Sequence, residues 1–144
     1  MPDDLYDRDF YAWANRQAAL LRAGDLSAAD IDHIAEEIES MGRSEKRELV
    51  NRLAILLLHM LKWQFQPGLR GNSWRLGIKE QRYRLADHLA DNPSLKARLP
   101  NAIADAYRLA LVEAEREAGL PEETFPESCL WPVEKLLEQG FLPD

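Results

Sequence analysis

The sequence is poor in cysteine and glycine, and it lacks a long apolar run. Its one cysteine, Cys129, cannot form an internal disulfide, which agrees with a reducing compartment. The 7 glycines and 8 prolines among 144 residues are too few for a collagen-like or low-complexity chain. The longest apolar run, 53–61, contains His59 and is followed by Lys62, so it falls short of the roughly 18 residues of a membrane span. We therefore expect a globular protein that is not bound to a membrane.

Targeting and catalytic motifs are missing as well. The first four residues, Met-Pro-Asp-Asp, lack the basic and then apolar order of a signal peptide, so we expect a cytoplasmic protein. No His-Glu-x-x-His motif, phosphate-binding glycine loop, Gly-x-Ser-x-Gly elbow or paired-cysteine zinc motif occurs. Accordingly we predict no catalytic residue and no cofactor, and we favour a protein that is not an enzyme.

What the sequence does contain is helical periodicity. Hydrophobic residues make up 46% of the chain and charged residues 30%. The glycines and prolines fall almost entirely between segments whose apolar residues have helical spacing, and alternating strand patterns are only a few residues long. The sequence predicts an all-α, single-domain bundle over 1–144, with five to six helices and a buried central helix.

Capping residues and glycines indicate where the helices begin and end. The first helix is expected to begin near Asp7 and to stop at Gly24. Ser27 is the predicted cap of the second helix, and Gly42 is its predicted stop. The segment 44–65 is the predicted centre, because it is apolar nearly all round between residues 53 and 61. Further helices are predicted from Ser73 or Trp74 to about Leu89, at 101–119 and at about 132–139.

The second predicted helix has two distinct faces. We expect one face to be buried, and it consists of Ile31, Ile34, Ala35 and Ile38. The opposite face carries His33, Glu36 and Glu37, at a spacing that lets an imidazole and a carboxylate of one helix reach one metal ion. A metal site in a bundle faces inward, whereas these three residues lie opposite the apolar face. We therefore predict that they form a solvated face without metal. A metal site made of these three residues is the alternative.

Charge is segregated along the chain. Segments 1–42, 43–84 and 85–144 carry net charges of −7, +7 and −7, so the total of −7 hides a basic central third. Two interpretations are open. Either acidic neighbours neutralise the basic helices within the fold, or these helices present a basic face to an anionic partner.

The basic segment also contains aromatic residues, a combination that suits anionic ligands with flat rings. Ser73 is the predicted cap of the fourth helix, where an anion would meet the positive helix end beside Arg70 and Arg75. The residues that we predict to bind a ligand or partner are Lys62, Trp63, Arg70, Ser73, Trp74, Arg75, Lys79 and Arg82.

These residues lead to three functional hypotheses. We favour a non-enzymatic binding or interaction module that binds a protein partner or a small anionic ligand through this face, with a homodimer as a further option. A metal-dependent or hydrolase-like enzyme that uses His and Glu side chains is the alternative. A nucleic-acid-binding accessory protein is less favoured, because the isoelectric point near 5.0 would repel a long polyanion.

Several short motifs resemble those of a known bacterial family. They are Tyr6-Asp7-Arg8-Asp9-Phe10-Tyr11-Ala12-Trp13, Leu21-Arg22-Ala23-Gly24, Glu36-Glu37-Ile38-Glu39-Ser40-Met41-Gly42, His59-Met60-Leu61-Lys62-Trp63, Ser73-Trp74-Arg75 and Asn92-Pro93-Ser94-Leu95. Their order and spacing over nearly the full chain are similar to those of the family catalogued as domain of unknown function 29. Phe125-Pro126-Glu127-Ser128-Cys129 and Phe141-Leu142-Pro143 resemble its C-terminal pattern. Leu130 and Leu76-Gly77 depart from that pattern.

The resemblance implies an all-helical bacterial protein and supplies no activity. Its matched stretches contain polar residues that core packing alone does not require. One interpretation is a structural network, in which acidic residues of the second helix pair with basic residues of the third and fourth. The residues assigned to it are Glu36, Glu37, Glu39, Arg43 and His59. The same residues lining a cleft would instead form a ligand site, and both interpretations stay open.

Overall fold

The computed structural model describes residues 4–144, and all regular structure in this range is helical. The helices are α1 (Leu5–Arg8), α2 (Phe10–Arg22), α3 (Ile31–Phe65), α4 (Asn72–Asp91), α5 (Leu99–Ala118) and α6 (Val133–Leu136), with short 3-10 helices at Pro67–Leu69, Pro93–Arg98 and Glu122–Thr124. The predicted all-α class is confirmed. Within the described range, no helix combines the length and the apolarity needed to cross a membrane.

The chain divides into two compact units, which we call the N-terminal and the C-terminal unit. The first extends to Ser44, and the second runs from Glu45 to Asp144. The boundary falls inside α3, so the early turns of this helix belong to one unit and the later turns to the other. The expectation of one domain over 1–144 stays a prediction.

Aspartate side chains cap the helices of the N-terminal unit. Asp9 accepts a hydrogen bond from the Ala12 amide at 3.1 Å, so it caps α2, and the predicted start near Asp7 is wrong because Asp7 lies within α1. The predicted stop at Gly24 is confirmed. Gly24 has a φ of +73°, a left-handed conformation that glycine adopts without a Cβ clash.

The cap of α3 is Asp30, and the prediction of Ser27 is wrong. The Ser27 hydroxyl donates to the Asp25 carboxylate at 2.9 Å, which closes a turn before the helix. The Asp30 carboxylate accepts from the His33 amide at 3.4 Å, one residue before α3 begins. The Ser27 hydroxyl, which is predicted to cap the helix, is therefore bound to Asp25 instead.

The predicted helix stop at Gly42 is also wrong, because α3 passes through it without a break. Among residues 4–144, a positive φ occurs at Gly24, Gly119 and Gly140, whereas Gly42 has helical geometry. A glycine inside a helix costs only about 1 kcal/mol relative to alanine. Strong helix formers on both sides, such as Met41 and Arg43, are enough to carry the helix past this position.

The predicted burial of the second helix is wrong as well. Ile31 and Ile38 are 50% and 59% exposed, whereas His33 and Glu37 on the opposite face are half-buried. The reason lies in α1, where the Tyr6 ring stacks on the His33 ring with centroids 3.9 Å apart. An aromatic and polar contact, rather than the apolar stripe, therefore holds this helix in the N-terminal unit.

The later turns of α3 form the buried centre of the C-terminal unit, which confirms the predicted central helix. Leu49, Leu53, Leu57 and Leu61 are fully buried there. The face of α5 that packs against this core has small side chains. Its alanines are fully buried, at positions Ala102, Ala106, Ala110 and Ala114. Fully burying a leucine side chain contributes about 1.5–3 kcal/mol, so this core provides much of the stability of the unit.

Two predictions at the ends of later helices need correction. α4 begins at Asn72 after Gly71, with no capping side chain, so Ser73 lies inside the helix and is not its cap. α6 is a single turn after Pro132 and ends at Leu136, short of the predicted residue 139. The predicted end of the fifth helix at Gly119 is confirmed by its φ of +69°.

Candidate functional site

A basic cavity of about 290 Å³ lies between α4 and the residues after α6. We call it the α4–tail cavity. Its lining consists of Arg75, Ile78, Lys79, Arg82, Tyr83, Gln139, Gly140 and Leu142. None of these described lining residues is acidic, although the chain carries a net charge of −7. Three of the cations predicted to bind a ligand therefore meet at one place.

Arg82 forms the wall of this cavity. Its side chain is only 2% exposed, and its Nε donates to the Leu136 carbonyl at 2.8 Å. Its Nη1 and Nη2 donate to the carbonyls of Phe141 and Lys135, at 2.7 and 3.4 Å. Burial lowers the pKa of the guanidinium, and the negative charge of Glu138 opposes that shift. Since its donors are occupied by backbone oxygens, Arg82 fastens the C-terminal tail to α4.

Arg75 and Lys79 are the exposed cations of the cavity. Arg75 Nη2 donates to the Asn72 side chain at 3.3 Å, and Lys79 Nζ lies 5.9 Å from the centre of the Tyr83 ring. Within the described residues, no carboxylate lies within 4.0 Å of either cation. Both side chains are thus available to a ligand in the cavity.

Lys62, another predicted ligand residue, is occupied inside the C-terminal unit. Its Nζ donates to the Glu117 carboxylate at 2.8 Å, and its side chain is 11% exposed. The same ammonium lies 5.2 Å from the centre of the Trp74 ring. Lys62 and Trp74 therefore stack on each other, and an ion pair with α5 holds the lysine in place.

Arg70 and Trp63 form a second stacked pair. Arg70 Nε donates to the Trp63 carbonyl at 2.7 Å, and its guanidinium lies 5.1 Å from the centre of the Trp63 ring. Its Nη2 donates to the oxygen of Asp144 at 2.7 Å, at the end of the described chain. Like Arg82, this arginine fastens the tail.

His59 lies against α4 at Gly77. Its Nδ1 is 2.8 Å from the Ile55 carbonyl, which can only accept, so Nδ1 carries the proton. A Cβ added at Gly77 would lie 2.8 Å from His59 Nε2, so the glycine makes room for the ring. These side chains and Ser73 border a shallow groove of about 650 Å³ on α4. His59 thus packs locally against α4, and its membership of the predicted polar network stays a prediction.

In the N-terminal unit, Asp30 organises His33 and Trp13. Its carboxylate accepts from His33 Nδ1 at 2.7 Å and from Trp13 Nε1 at 3.1 Å. The hydrogen bond raises the pKa of His33 and lowers the pKa of Asp30. The Asp30 amide donates to the buried Gln17 side chain at 2.7 Å, which fixes the carboxylate relative to α2.

The predicted acidic residues of the N-terminal unit have local partners. Glu37 accepts a hydrogen bond from the Tyr6 hydroxyl, which raises the pKa of Tyr6 to about 12. The negative charge of Glu36 raises the pKa values of Tyr6 and His33 further. Glu39 lies 3.9 Å from Arg43 in an exposed ion pair. Pairing of these carboxylates with basic residues of later helices stays a prediction, as does the alternative metal site at His33, Glu36 and Glu37.

Sequence reasoning missed the group of His and Glu side chains that the fold does bring together. The ligand atoms of Glu45, Glu48 and His88 lie within 4.8 Å of one another, in the C-terminal unit. His88 is buried near the end of α4, and the two carboxylates lie on α3 beside an open groove of about 430 Å³. The spacing of Glu45 and Glu48 places them on one helix face, but nothing in the sequence links them to His88.

One model of a protein family covers almost the whole chain. The family is described as "Domain of unknown function DUF29", and its model matches residues 5–142. No curated protein and no solved structure matches the chain. The match extends from α1 to the tail that Arg82 fastens, so it includes both units. The chain therefore belongs to the DUF29 family, as its motifs predict.

Proposed function

We propose that the protein is a non-enzymatic binding module that takes a small anion, of the size of phosphate or a short carboxylic acid, in the α4–tail cavity. The observation that carries this proposal is the lining of the cavity, in which three cations occur and no described residue is acidic. Positive side chains around a small concave surface favour anions over neutral ligands of similar size.

The cations of the cavity have different tasks in this proposal. Arg82 uses its donors on the carbonyls of the tail, so it shapes the cavity and adds positive potential. Arg75 and Lys79 provide donors for the anion, because neither is neutralised by a carboxylate within the described residues. The Tyr83 hydroxyl and the Gln139 amide supply neutral hydrogen bonds.

Size and surroundings favour a small anion over a nucleic acid. A volume of about 290 Å³ accommodates one small molecule. The rings of Trp63 and Trp74 already stack on Arg70 and Lys62, which leaves them poorly placed to stack on bases. The overall charge of −7 also repels a long polyanion beyond the cavity.

Calorimetric titration with inorganic phosphate and with citrate at low ionic strength tests this proposal. We expect binding of at least one of these anions at one site per chain. The double variant Arg75→Gln, Lys79→Gln should lose affinity by about tenfold or more for each charge removed, because each charge-assisted hydrogen bond contributes about 1.5–3 kcal/mol. Both side chains are exposed, so the variant is expected to fold.

The matched control is the double variant Arg108→Gln, Arg116→Gln, which removes the same charge from exposed ion pairs on α5. It should bind the anion as the unaltered protein does. The proposal fails if neither anion binds at millimolar concentration, or if the control variant loses as much affinity as the cavity variant. Tighter binding of a single-stranded oligonucleotide than of either anion would instead favour the nucleic-acid hypothesis.

A further inference from the structure

We propose that Glu45, Glu48 and His88 bind a first-row divalent transition-metal ion, at a site lined by different residues from those of the α4–tail cavity. The three side chains come from two helices, with Glu45 and Glu48 on α3 and His88 on α4. Their ligand atoms lie within 4.8 Å of one another.

The backbone fixes the tautomer of His88. Its Nε2 is 2.9 Å from the carbonyl oxygen of Glu45. Because a carbonyl only accepts, Nε2 carries a proton, so the neutral form of the ring has its lone pair at Nδ1. A histidine that ligates a metal typically donates its other N–H to a carbonyl or carboxylate in this way. His88 is thus held in the form and orientation that a metal ligand requires.

The Nδ1 lone pair faces two carboxylates rather than a donor. It lies 3.7 Å from Glu45 Oε2 and 3.8 Å from Glu48 Oε2, both too far for a hydrogen bond. Two ligands of a tetrahedral zinc ion are about 3.4 Å apart, given metal–ligand bonds of about 2.0–2.2 Å. The two distances from His88 exceed this value by a few tenths of an ångström, and all three ligand atoms lie within 4.8 Å of one another, so rotation of the two carboxylate side chains would bring them to one ion. The His88 side chain is only 8% exposed, and it lines the open groove beside the two carboxylates.

The groove carries an excess of negative charge, because its lining holds four carboxylates against the guanidinium groups of Arg52 and Arg84. Arg52 donates to Glu48 Oε1 at 2.8 and 3.0 Å, which positions this carboxylate and leaves Oε2 toward His88. Glu45 has no such partner among the described residues. Asp87 and Asp91 line the same groove and add negative charge there. The carboxylates of Glu45 and Glu48 and the imidazole of His88 would then be the ligands. Water or a further acidic side chain would complete the coordination shell of the ion.

The donor set selects the class of metal. Imidazole nitrogen favours zinc and its first-row neighbours, whereas magnesium and calcium prefer oxygen donors alone. A mixed set of one nitrogen and two carboxylates, open to a groove on one side, therefore fits Zn²⁺ better than Mg²⁺. Such a site leaves room for solvent or an external ligand on the ion.

Titration of the metal-free full chain with Zn²⁺ and, separately, with Mg²⁺ tests the inference. Native mass spectrometry and calorimetry should show one Zn²⁺ per chain and at least about tenfold weaker Mg²⁺ binding. The Nδ1 resonance of His88 should shift on zinc binding, in a ¹⁵N spectrum of the three histidine rings. The double variant Glu45→Gln, Glu48→Gln should lower the zinc affinity about 100-fold, since it removes both anionic ligands.

The variant and its controls separate loss of a ligand from loss of the fold. Glu45 and Glu48 are 48% and 43% exposed, and the Glu45 carbonyl that holds His88 stays in place in the variant. The controls Glu80→Gln, on exposed α4 surface, and His33→Gln should bind zinc as the unaltered protein does. No stoichiometric zinc binding, zinc binding that the double variant retains, or an unshifted His88 resonance would each overturn the site. Anion binding at Arg75 and Lys79 does not depend on any of these outcomes.

Discussion

The guanidinium of Arg82 is buried among carbonyl oxygens of the tail. Replacing Arg82 should therefore destabilise the fold, in addition to any effect on ligand binding. We expect Arg82→Met to lower the free energy of unfolding by about 2–4 kcal/mol, because it leaves buried carbonyls without donors. Urea denaturation measures this. Arg84 lies two residues from Arg82 and forms an exposed ion pair with Glu80, so Arg84→Met should cost less than about 0.5 kcal/mol. Equal losses for both variants would contradict the assigned role of Arg82.

The hydrogen bond between Asp30 and His33 makes the N-terminal unit sensitive to pH. The pKa of His33 is raised above 6.5, so its stabilising effect is complete below pH 6.5 and is lost as the pH rises through the raised value. The pKa of Asp30 is lowered below 3.8, so its effect is complete above pH 3.8 and is lost as the pH falls through the lowered value. We therefore expect the pair to stabilise the fold most in the weakly acidic range between these limits.

NMR titration of the His33 ring provides the measurement for this pair. Asp30→Asn should lower the pKa of His33, because it removes the negative partner that is the first cause of the shift. The charges of Glu36 and Asp7 and the stacked Tyr6 ring also face His33, so part of the shift should persist. The same change at Asp32, which also lies in the first turn of α3, serves as the control. An unchanged pKa of His33 in Asp30→Asn would refute the role of this hydrogen bond.

At the scale of elements, the continuity of α3 leads to a prediction at Gly42. No atom lies within 4 Å of the position where a Cβ would be added, and the residue is helical, so Gly42→Ala should stabilise the protein by about 0.5–1 kcal/mol. Gly24→Ala should instead destabilise it, because a φ of +73° strains any residue with a Cβ. Thermal melts of both variants measure the two effects. A destabilised Gly42→Ala would show that the helix ends there after all.

Helical segments could be predicted from the sequence where the local signal agrees with the fold. Gly24 and Gly119 mark helix ends because both adopt a positive φ. Gly42 misleads, since one glycine costs less than the neighbouring turns contribute. The buried face of the early α3 turns could not be predicted from apolar spacing, because the partners there are the rings of Tyr6 and Trp13. Which face of a helix is covered depends on what packs against it.

The candidate site was predictable only in part, for reasons of tertiary structure. The excess of positive charge in 43–84 indicates the region. It does not separate Arg82, whose donors hold the tail, from Arg75, an exposed residue of the cavity lining. The contacts that distinguish Arg82 are to residues more than fifty positions away. The group around His88 was missed for the same reason, since His88 contacts Glu45 across 43 positions of sequence.

For the whole molecule, charge is the property that links sequence and proposed function. A chain with a net charge of −7 keeps a cavity whose described lining has no acidic residue. Neighbouring cations repel each other, so such a cavity is costly to maintain unless it serves an anion. A bound anion would offset the repulsion between these cations. It should also stabilise the protein, because a ligand that binds only the folded state stabilises that state.

The most direct test of the anion-binding account is a titration of the ¹⁵N-labelled full chain with inorganic phosphate and with citrate, followed by backbone amide NMR. If an anion binds in the α4–tail cavity, saturable shifts should be concentrated between Arg75 and Tyr83 and at residues 139–142, with amides of the N-terminal unit unchanged. Shifts absent with both anions, or spread evenly over exposed lysines and arginines, would contradict it.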